Sequence, residues 1–463
     1  MGTCSPRSAR TGSIRSRACA RGSSSARRAA IEPLREWTEA RSGTRSRPAH
    51  RLGAIARDSA PGLDRRADVP SIIGVHFRRA LVHRRHFLQG SLAATLATTL
   101  PAIASAQDRS ASAPPEFPPI DERSVWLVGD SAPPDPVAMS ARLAEGVRAD
   151  ADVRDRYEVG GAVESMERAF AALLGKEDCA FFATGTLANN IAVRVLCGEH
   201  RRALVQAESH LYRDESDAAQ RLSGINLIPL AAGRASPALA EVRAAIDASE
   251  NGPYPMKIGA MSLESPVRRV DGEMVPLPLV REIATLARSH GARLHLDGAR
   301  LLLAPPSFDI AAYASEFDTV YVSLYKYLGA PFGAVLAGRV AEIAQARELR
   351  RVFGGSLYQG WMPAVLARDA LPAFMPAIAR AHRAARELVG ALVASGKVRE
   401  RSSPNASNIF WLEMDEAFAA AAFERGRAAG VRLGRWNGGR IPLYVNETIL
   451  RRPVGEYLGL FLG

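Results

Sequence analysis

From residue 125 onward, the chain alternates short apolar runs with longer segments in which apolar residues recur at helical spacing. The apolar runs are four to six residues long, which is typical of strands that are buried on both faces. They cover residues 179–183, 203–206, 225–230, 258–263, 293–296 and 319–323. Strands that alternate with helices in this way indicate an α/β fold with a mostly parallel central sheet.

The clearest helix is predicted over residues 277–290. Pro276 and Pro278 lie at its start, Ile283 belongs to its apolar face, and Gly291 ends it. The next apolar run begins two residues later. This order predicts a strand, helix and strand in succession, as in a parallel sheet.

The pattern changes after residue 338. Long helices rich in Ala and Arg are predicted over 340–352 and about 362–394. A segment with strand potential, a helix over 416–429 and a final mixed tail follow. That strand segment is residues 408–412. We therefore predict a large α/β domain over residues 125–360 and a smaller C-terminal α+β domain over residues 361–463.

Residues 1–83 show no sustained apolar periodicity and are dominated by Arg, Ser, Ala and Gly, so we expect a disordered leader. Residues 84–106 then combine an arginine pair, an uncharged apolar stretch and the small residues Ala104-Ser105-Ala106. This order resembles a twin-arginine export signal, and the stretch is too short to anchor the chain stably in a bilayer. The alternative is an Ala-rich helix after a chance arginine pair. Residues 107–124 are predicted to form a linker.

We expect cleavage after Ala106 and export of the mature chain to the periplasm or beyond. If the signal is not used, the protein is expected to stay in the cytoplasm. Export signals begin close to the translational start. The long leader before this one therefore suggests that translation begins nearer to the signal, at Val75 or Val82.

The net charge of +12 comes from the leader. Residues 1–85 contain 19 Arg, no Lys and six acidic residues, a net charge of +13, whereas residues 86–463 carry a net charge of −1. A nearly neutral body has no overall field that would attract polyanions, so we expect no nucleic-acid partner.

Cysteine usage gives no sign of a metal site or a disulfide scaffold. The body contains only Cys179 and Cys197, with no CxxC pair and no spacing typical of zinc ligands. We expect two buried thiols, with a disulfide between them as the alternative.

Lysine is rare in this chain, which contains four lysines and 56 arginines. Lys326 follows the apolar run 319–323 and precedes a Gly- and Pro-marked bend. An amine at the end of a buried strand is partly desolvated and can act as a nucleophile toward carbonyl groups. On position alone, a lysine that extends from a strand end to solvent is the alternative.

Asp297 supports the hypothesis that Lys326 is a catalytic nucleophile and indicates which cofactor it serves. It closes the strand run 293–296 and lies 29 residues before Lys326. Consecutive parallel strands end at the same edge of the sheet, where open α/β proteins bind ligands. A lysine and an aspartate in these places suit pyridoxal 5'-phosphate, which requires a Schiff-base lysine and a carboxylate that keeps its ring nitrogen protonated.

A third segment suits the phosphate of that cofactor. Thr184, Gly185 and Thr186 lead from a predicted strand into a helix over 187–196. Backbone N–H groups at a helix start, together with a threonine hydroxyl, can bind a phosphate. Taken alone, this segment would be read as an ordinary helix cap.

These residues resemble the low-specificity L-threonine aldolases, which belong to the β-eliminating lyase group of fold-type-I pyridoxal phosphate enzymes. The resemblance covers about residues 125–445. It is strongest in Asp-Gly-Ala-Arg at 297–300 and Lys-x-Leu-Gly-Ala-Pro-x-Gly at 326–333. Supporting matches are Tyr157 with Gly160-Gly161, residues 184–189, the His210 segment, Leu263-Glu264, and Gly354-Gly355 with Gln359.

The resemblance implies roles for eight residues. It implies Lys326 as the Schiff-base lysine, Asp297 on the pyridine nitrogen, and His210 stacked on the ring as the best candidate to take the substrate proton. The phosphate would lie at Thr184, Gly185 and Thr186, and the substrate carboxylate would bind Arg300, with Arg440 as a second ligand. The implied reaction is retro-aldol cleavage of a β-hydroxy-α-amino acid to glycine and an aldehyde.

The resemblance also implies at least a homodimer, or a homotetramer. Three tyrosines depart from the family pattern, since Tyr325 and Tyr327 replace Ser and Gly beside the lysine, and Tyr358 replaces an Arg. Gly129 stands where the family has a Ser, and no counterpart of a second active-site histidine is found. The alternatives are therefore β-elimination or racemisation of a small amino acid, or a binding protein that no longer catalyses.

Overall fold

The computed structural model describes residues 123–463. The predicted leader and export signal lie outside the described residues, as does the predicted linker apart from its last two residues. Between residues 123 and 463, no helix is both long and apolar enough to cross a membrane.

The described residues form twelve strands in three sheets. The strands are β1 (Val125–Leu127), β2 (Asp178–Phe182), β3 (Arg202–Gln206), β4 (Asn226–Leu230), β5 (Ala260–Glu264), β6 (Arg293–Asp297), β7 (Thr319–Ser323), β8 (Ala334–Gly338), β9 (Val398–Glu400), β10 (Ile409–Met414), β11 (Val431–Leu433) and β12 (Arg440–Tyr444).

Twelve α-helices accompany these strands in the described part of the chain. They are α1 (Pro136–Ala149), α2 (Gly161–Leu174), α3 (Gly185–Cys197), α4 (His210–Arg213), α5 (Ala218–Ser223), α6 (Leu239–Glu250), α7 (Leu277–Ser289), α8 (Ile310–Ser315), α9 (Val340–Val352), α10 (Trp361–Ala394), α11 (Glu416–Ala428) and α12 (Val454–Leu462). Two short 3₁₀ segments are Leu301–Leu303 and Glu447–Arg451.

The central sheet has seven strands in the order β2-β8-β7-β6-β5-β3-β4. Strand β8 runs antiparallel to both of its neighbours, and the other neighbouring pairs are parallel. The adjacent parallel strands β5, β6 and β7 therefore end at one edge of the sheet. This edge is where an open α/β sheet binds its ligands.

All six predicted strands belong to this sheet, and none of their ends is displaced by more than two residues. Helix α9 has the predicted bounds, and α7, α10 and α11 each differ from prediction by one residue at one end. Cys179 and Cys197 are buried free thiols, as predicted. Strands β5, β7 and β8 are buried at every position, which explains why their sequences are mostly apolar.

The smaller C-terminal part contains a three-stranded antiparallel sheet in the order β12-β10-β9. Strand β1 pairs in parallel with β11, so the first described strand packs with this part of the chain. The apolar core is continuous, since Phe170 and Leu294 belong to the same buried cluster as Phe410 and Leu443. The predicted fold class, α/β with a mostly parallel sheet and a smaller C-terminal domain, is confirmed.

Candidate active site

A cavity of about 290 Å³ lies at the edge where β2, β5, β6 and β7 end. Seven of the eight residues singled out from the sequence line it. They are Thr184, Gly185, Thr186, His210, Asp297, Arg300 and Lys326. The structure does not bring Arg440 to this cavity, because its guanidinium is exposed on β12 and lies 4.8 Å from the ring centroid of Trp411.

The start of α3 forms one end of the cavity. Thr184 caps the helix, with its side-chain oxygen accepting a hydrogen bond from the N–H of Leu187 at 3.2 Å. Among the described residues, the N–H groups of Gly185 and Thr186 have no partner, as expected in the first turn of a helix. These two donors and the positive end of the helix dipole suit an anion such as a phosphate.

Gly185 is required by a close approach. A Cβ atom at this position would lie 2.1 Å from the hydroxyl oxygen of Tyr321, which is itself buried on β7. Any side chain here would therefore displace either the tyrosine or the start of the helix.

Asp297 is the last residue of β6 and is 2% exposed. Its Oδ1 accepts the N–H of Ala299 at 3.1 Å, and its Oδ2 accepts the side-chain N–H of Asn189 at 2.8 Å. A carboxylate offers about four lone-pair sites, so Asp297 can accept a further hydrogen bond from a protonated ring nitrogen. The sequence did not assign a role to Asn189, which faces the sheet from α3.

His210 begins α4 and has a buried carboxylate behind it. Its Nδ1 lies 2.9 Å from Oε1 of Glu215, whose side chain is fully buried. The hydrogen bond with Glu215 raises the pKa of His210, although partial burial opposes the effect. Glu215 therefore fixes the ring so that Nδ1 faces the carboxylate and Nε2 remains available for proton transfer. The sequence reasoning missed Glu215.

A third buried carboxylate closes this side. Glu264, the last residue of β5, accepts the N–H of His210 at 2.6 Å and the N–H of Arg268 at 2.8 Å. Burial, with the charge of Asp297 nearby, raises the pKa of Glu264 to about 7. Glu264 thus holds the start of α4 in place beside the cavity.

Arg300 is mostly buried and is already paired. Its Nε donates to Oδ1 of Asp130 at 2.8 Å, and both side chains are less than a fifth exposed. Asp130 lies directly after Gly129, at the place where the resemblance leads one to expect a serine contact. The pairing leaves the two terminal nitrogens of Arg300 without a partner among the described residues, so they can meet a substrate carboxylate.

Lys326 lies three residues beyond β7, and its Nζ donates to the hydroxyl of Tyr325 at 2.8 Å. Tyr325 lines the cavity beside it. The other two tyrosines that depart from the family pattern lie elsewhere. Tyr327 is buried and stacks on Phe374 at 5.2 Å, and Tyr358 is exposed, with its ring edge against another tyrosine.

The donor set fits pyridoxal phosphate. One cavity combines two free N–H groups at a helix start, an amine, a buried carboxylate and an imidazole. These groups match an anionic phosphate, an aldehyde, a ring nitrogen and an aromatic ring face, in that order. Within residues 123–463, no cluster of three or more His, Cys, Asp or Glu could hold a metal ion.

Comparison with known proteins is consistent with this geometry. The sequence profile of the beta-eliminating lyase family matches residues 127–415. Low-specificity L-threonine aldolase 1 of Arabidopsis thaliana is 25% identical over 305 residues, which cover 64% of this chain and 85% of the relative. Alanine racemase TOXG of Cochliobolus carbonum is 29% identical over 287 residues, which cover 58% and 71%.

A solved structure gives the same result. The crystal structure of a putative L-allo-threonine aldolase from Listeria monocytogenes superposes with a TM-score of 0.61 and is 25% identical in sequence. The match covers 73% of this chain and 95% of that chain. Both the sequence and the fold therefore relate this chain to proteins that are named for threonine cleavage.

Proposed function

Because the chain belongs to the beta-eliminating lyase family, we propose that it is a pyridoxal-phosphate-dependent lyase that acts on a β-hydroxy-α-amino acid. The substrate resembles L-threonine or L-allo-threonine, and the products are glycine and an aldehyde. The observation that carries this proposal is that Lys326, Asp297, His210 and Arg300 line one cavity with the start of α3.

Four side chains have separate roles in the proposed reaction: two act on the cofactor and two on the substrate. When bound, pyridoxal phosphate supplies a ring that accepts the electron pair left as a bond to the substrate Cα breaks. Lys326 would hold the cofactor covalently between turnovers, and Asp297 would keep the proton on its ring nitrogen. The N–H groups of Gly185 and Thr186 bind its phosphate.

Arg300 and His210 act on the substrate. The guanidinium of Arg300, oriented by Asp130, binds the substrate carboxylate. Nε2 of His210 takes the proton of the β-hydroxyl group, the Cα–Cβ bond breaks, and the oxygen becomes the carbonyl of the departing aldehyde. The imidazolium that forms is stabilised by Glu215 at 2.9 Å. Transfer of this proton from the imidazolium to Cα then gives glycine.

The direct test is product analysis with purified protein and added pyridoxal phosphate. We expect glycine and acetaldehyde in equal amounts from L-threonine or L-allo-threonine. Lys326→Ala should abolish product release, whereas Lys257→Ala, which removes an exposed lysine that does not line the cavity, should leave it unchanged. Wild-type activity in Lys326→Ala would contradict the proposal.

Racemisation is the second candidate, and the similarity to a relative named alanine racemase favours it. It predicts exchange of the Cα hydrogen of alanine with solvent deuterium and loss of optical activity, with no aldehyde. β-Elimination would instead release pyruvate and ammonia from serine. Cofactor binding without any turnover would indicate a binding protein that no longer catalyses.

We also propose that the protein is a homodimer or homotetramer. An exposed patch beside the α2 start supports this, since Tyr157, Val159 and Tyr358 are each more than half exposed. Tyr157 and Tyr358 pack edge to face, with their centroids 5.4 Å apart. Light scattering should give a multiple of the subunit mass, and Tyr358→Glu should reduce it. A monomeric wild-type protein would contradict this assembly.

Export remains a proposal that rests on the order of segments in residues 84–106. A twin-arginine route would carry the folded protein, so the cofactor could be inserted before translocation. Cell fractionation and N-terminal sequencing should find a periplasmic chain that begins at Gln107. An intact chain in the cytoplasm would contradict export.

A further inference from the structure

The side-chain amide of Asn189 lies between two buried carboxylates. Its Nδ2 is 2.8 Å from Oδ2 of Asp297 and 3.1 Å from Oε1 of Glu215. Ionised carboxylate oxygens only accept hydrogen bonds, so the NH₂ group must face both of them. The amide oxygen of Asn189 consequently points away from the two carboxylates. The group that faces this oxygen must therefore donate a hydrogen bond to it.

That neighbour is His295, which is fully buried on β6. Its Nε2 lies 3.0 Å from Oδ1 of Asn189, and its Nδ1 lies 2.9 Å from Oγ1 of Thr319. The amide oxygen can only accept, so Nε2 carries the proton. Nδ1 then accepts from the hydroxyl of Thr319. Burial lowers the pKa of His295 to about 4, which agrees with a neutral ring that carries one proton.

The chain of hydrogen bonds therefore has one direction. It runs from the hydroxyl of Thr319 through His295 to the amide of Asn189, which donates to both carboxylates. If the amide turned over, its oxygen would face two carboxylates and both would lose a donor. A neutral His295 with the opposite tautomer would favour that reversed amide.

We propose that His295 is a positioning residue that acts through Asn189 to hold two carboxylates: Asp297, which would bind the cofactor ring nitrogen, and Glu215, which orients His210. The inference rests on the proposed function, because it assigns the two carboxylates to cofactor and substrate chemistry. It gives this fully buried histidine a role at the cavity although its ring does not line it.

The test measures cofactor affinity without any substrate. Apoprotein is titrated with pyridoxal phosphate, and binding is followed by absorbance. We expect His295→Leu to weaken binding about tenfold, the size of effect that follows when a buried amide loses its partner. His382→Leu is the matched control, since His382 is also buried but bonds to the backbone oxygen of Leu303, and neither residue lines the cavity.

A double-variant cycle separates positioning from a general structural role. If His295 acts through the amide, His295→Leu adds no further loss of affinity to Asn189→Ala. Losses that multiply would overturn the proposal, as would wild-type affinity in a folded His295→Leu protein.

Thr319 provides a milder pair of variants should His295→Leu not fold. Thr319→Ser keeps the hydroxyl donor and should bind the cofactor as the wild type does, whereas Thr319→Val should weaken binding. Equal affinities in the two variants would overturn the proposal. If the wild-type protein itself does not bind pyridoxal phosphate, the proposed function fails instead, so the two failures are distinguishable.

Discussion

Replacing Gly185 with alanine should disable the phosphate end of the cavity. The new Cβ would lie 2.1 Å from the hydroxyl oxygen and 2.5 Å from Cζ of Tyr321, whereas ordinary contact begins at 3.4 Å. The buried tyrosine is rigid, so either the start of α3 or the ring must move by about 1.3 Å, the difference between 3.4 Å and 2.1 Å. Overpacking of this size costs about 1–3 kcal/mol of stability.

A displacement of that size also matters for binding. Hydrogen bonds from backbone N–H groups span only about 2.7–3.2 Å, so a shift of about 1 Å removes the two donors from a bound phosphate. We expect Gly185→Ala to bind pyridoxal phosphate at least about tenfold more weakly, since loss of two charge-assisted hydrogen bonds is worth about 1.5–3 kcal/mol or more.

The assay combines titration of the apoprotein with thermal unfolding. Gly390→Ala is the control, because a Cβ at that position in α10 meets nothing within 4 Å, and this variant should be slightly stabilised. Gly185→Ala combined with Tyr321→Ser, which removes the opposing ring, should recover part of the affinity. Wild-type affinity and stability in Gly185→Ala alone would refute the steric argument.

Three further variants address the substrate side. Asp130→Asn should raise KM for the amino acid about tenfold, because Arg300 loses its ion-paired partner. Cofactor affinity should stay constant. An unchanged KM would contradict the role of Asp130. Glu215→Gln should lower the pKa of His210, which must be neutral to act as a base, so the low-pH limb of the kcat profile should move to lower pH. A shift to higher pH would contradict the assignment. Tyr325→Phe removes a hydroxyl beside the reactive amine and should reduce kcat about threefold to tenfold at constant cofactor affinity, which steady-state kinetics would detect or refute.

Most of the central strands were predictable because they are buried along nearly their whole length. Strand β7, Thr319–Ser323, is fully buried and has three apolar or aromatic residues in succession at its centre, so the pattern indicates a strand there. Strand β8 was not among the six predicted strands, and its direction could not be predicted either, since an antiparallel strand in this layer carries the same apolar residues as a parallel one. Strand β1 is very short and pairs with β11, which lies near the opposite end of the described chain, so no local signal marks it.

Some residues of the candidate site could likewise be predicted from the sequence, and others could not. Lys326 and Asp297 could be found because each lies at or just after the end of a strand at the ligand-binding edge. Asp130 and Glu215 could not, because they bond to Arg300 and Asn189, which are 170 and 26 residues away, and nothing in the local sequence distinguishes them from surface acids. Arg440 was expected at the cavity through resemblance, but the structure stacks it on a tryptophan instead.

Of the three tyrosines that differ from the family pattern, only one is placed to affect which substrate is bound. Tyr327 fills the core against Phe374, and Tyr358 joins an exposed aromatic pair, so neither lines the cavity. Only Tyr325 stands beside both the amine of Lys326 and the substrate space. The residues that we propose for cofactor binding thus lie where the resemblance implies, and we expect differences in the reaction to come mainly from the phenol of Tyr325 and from the Asp130 pair that orients Arg300.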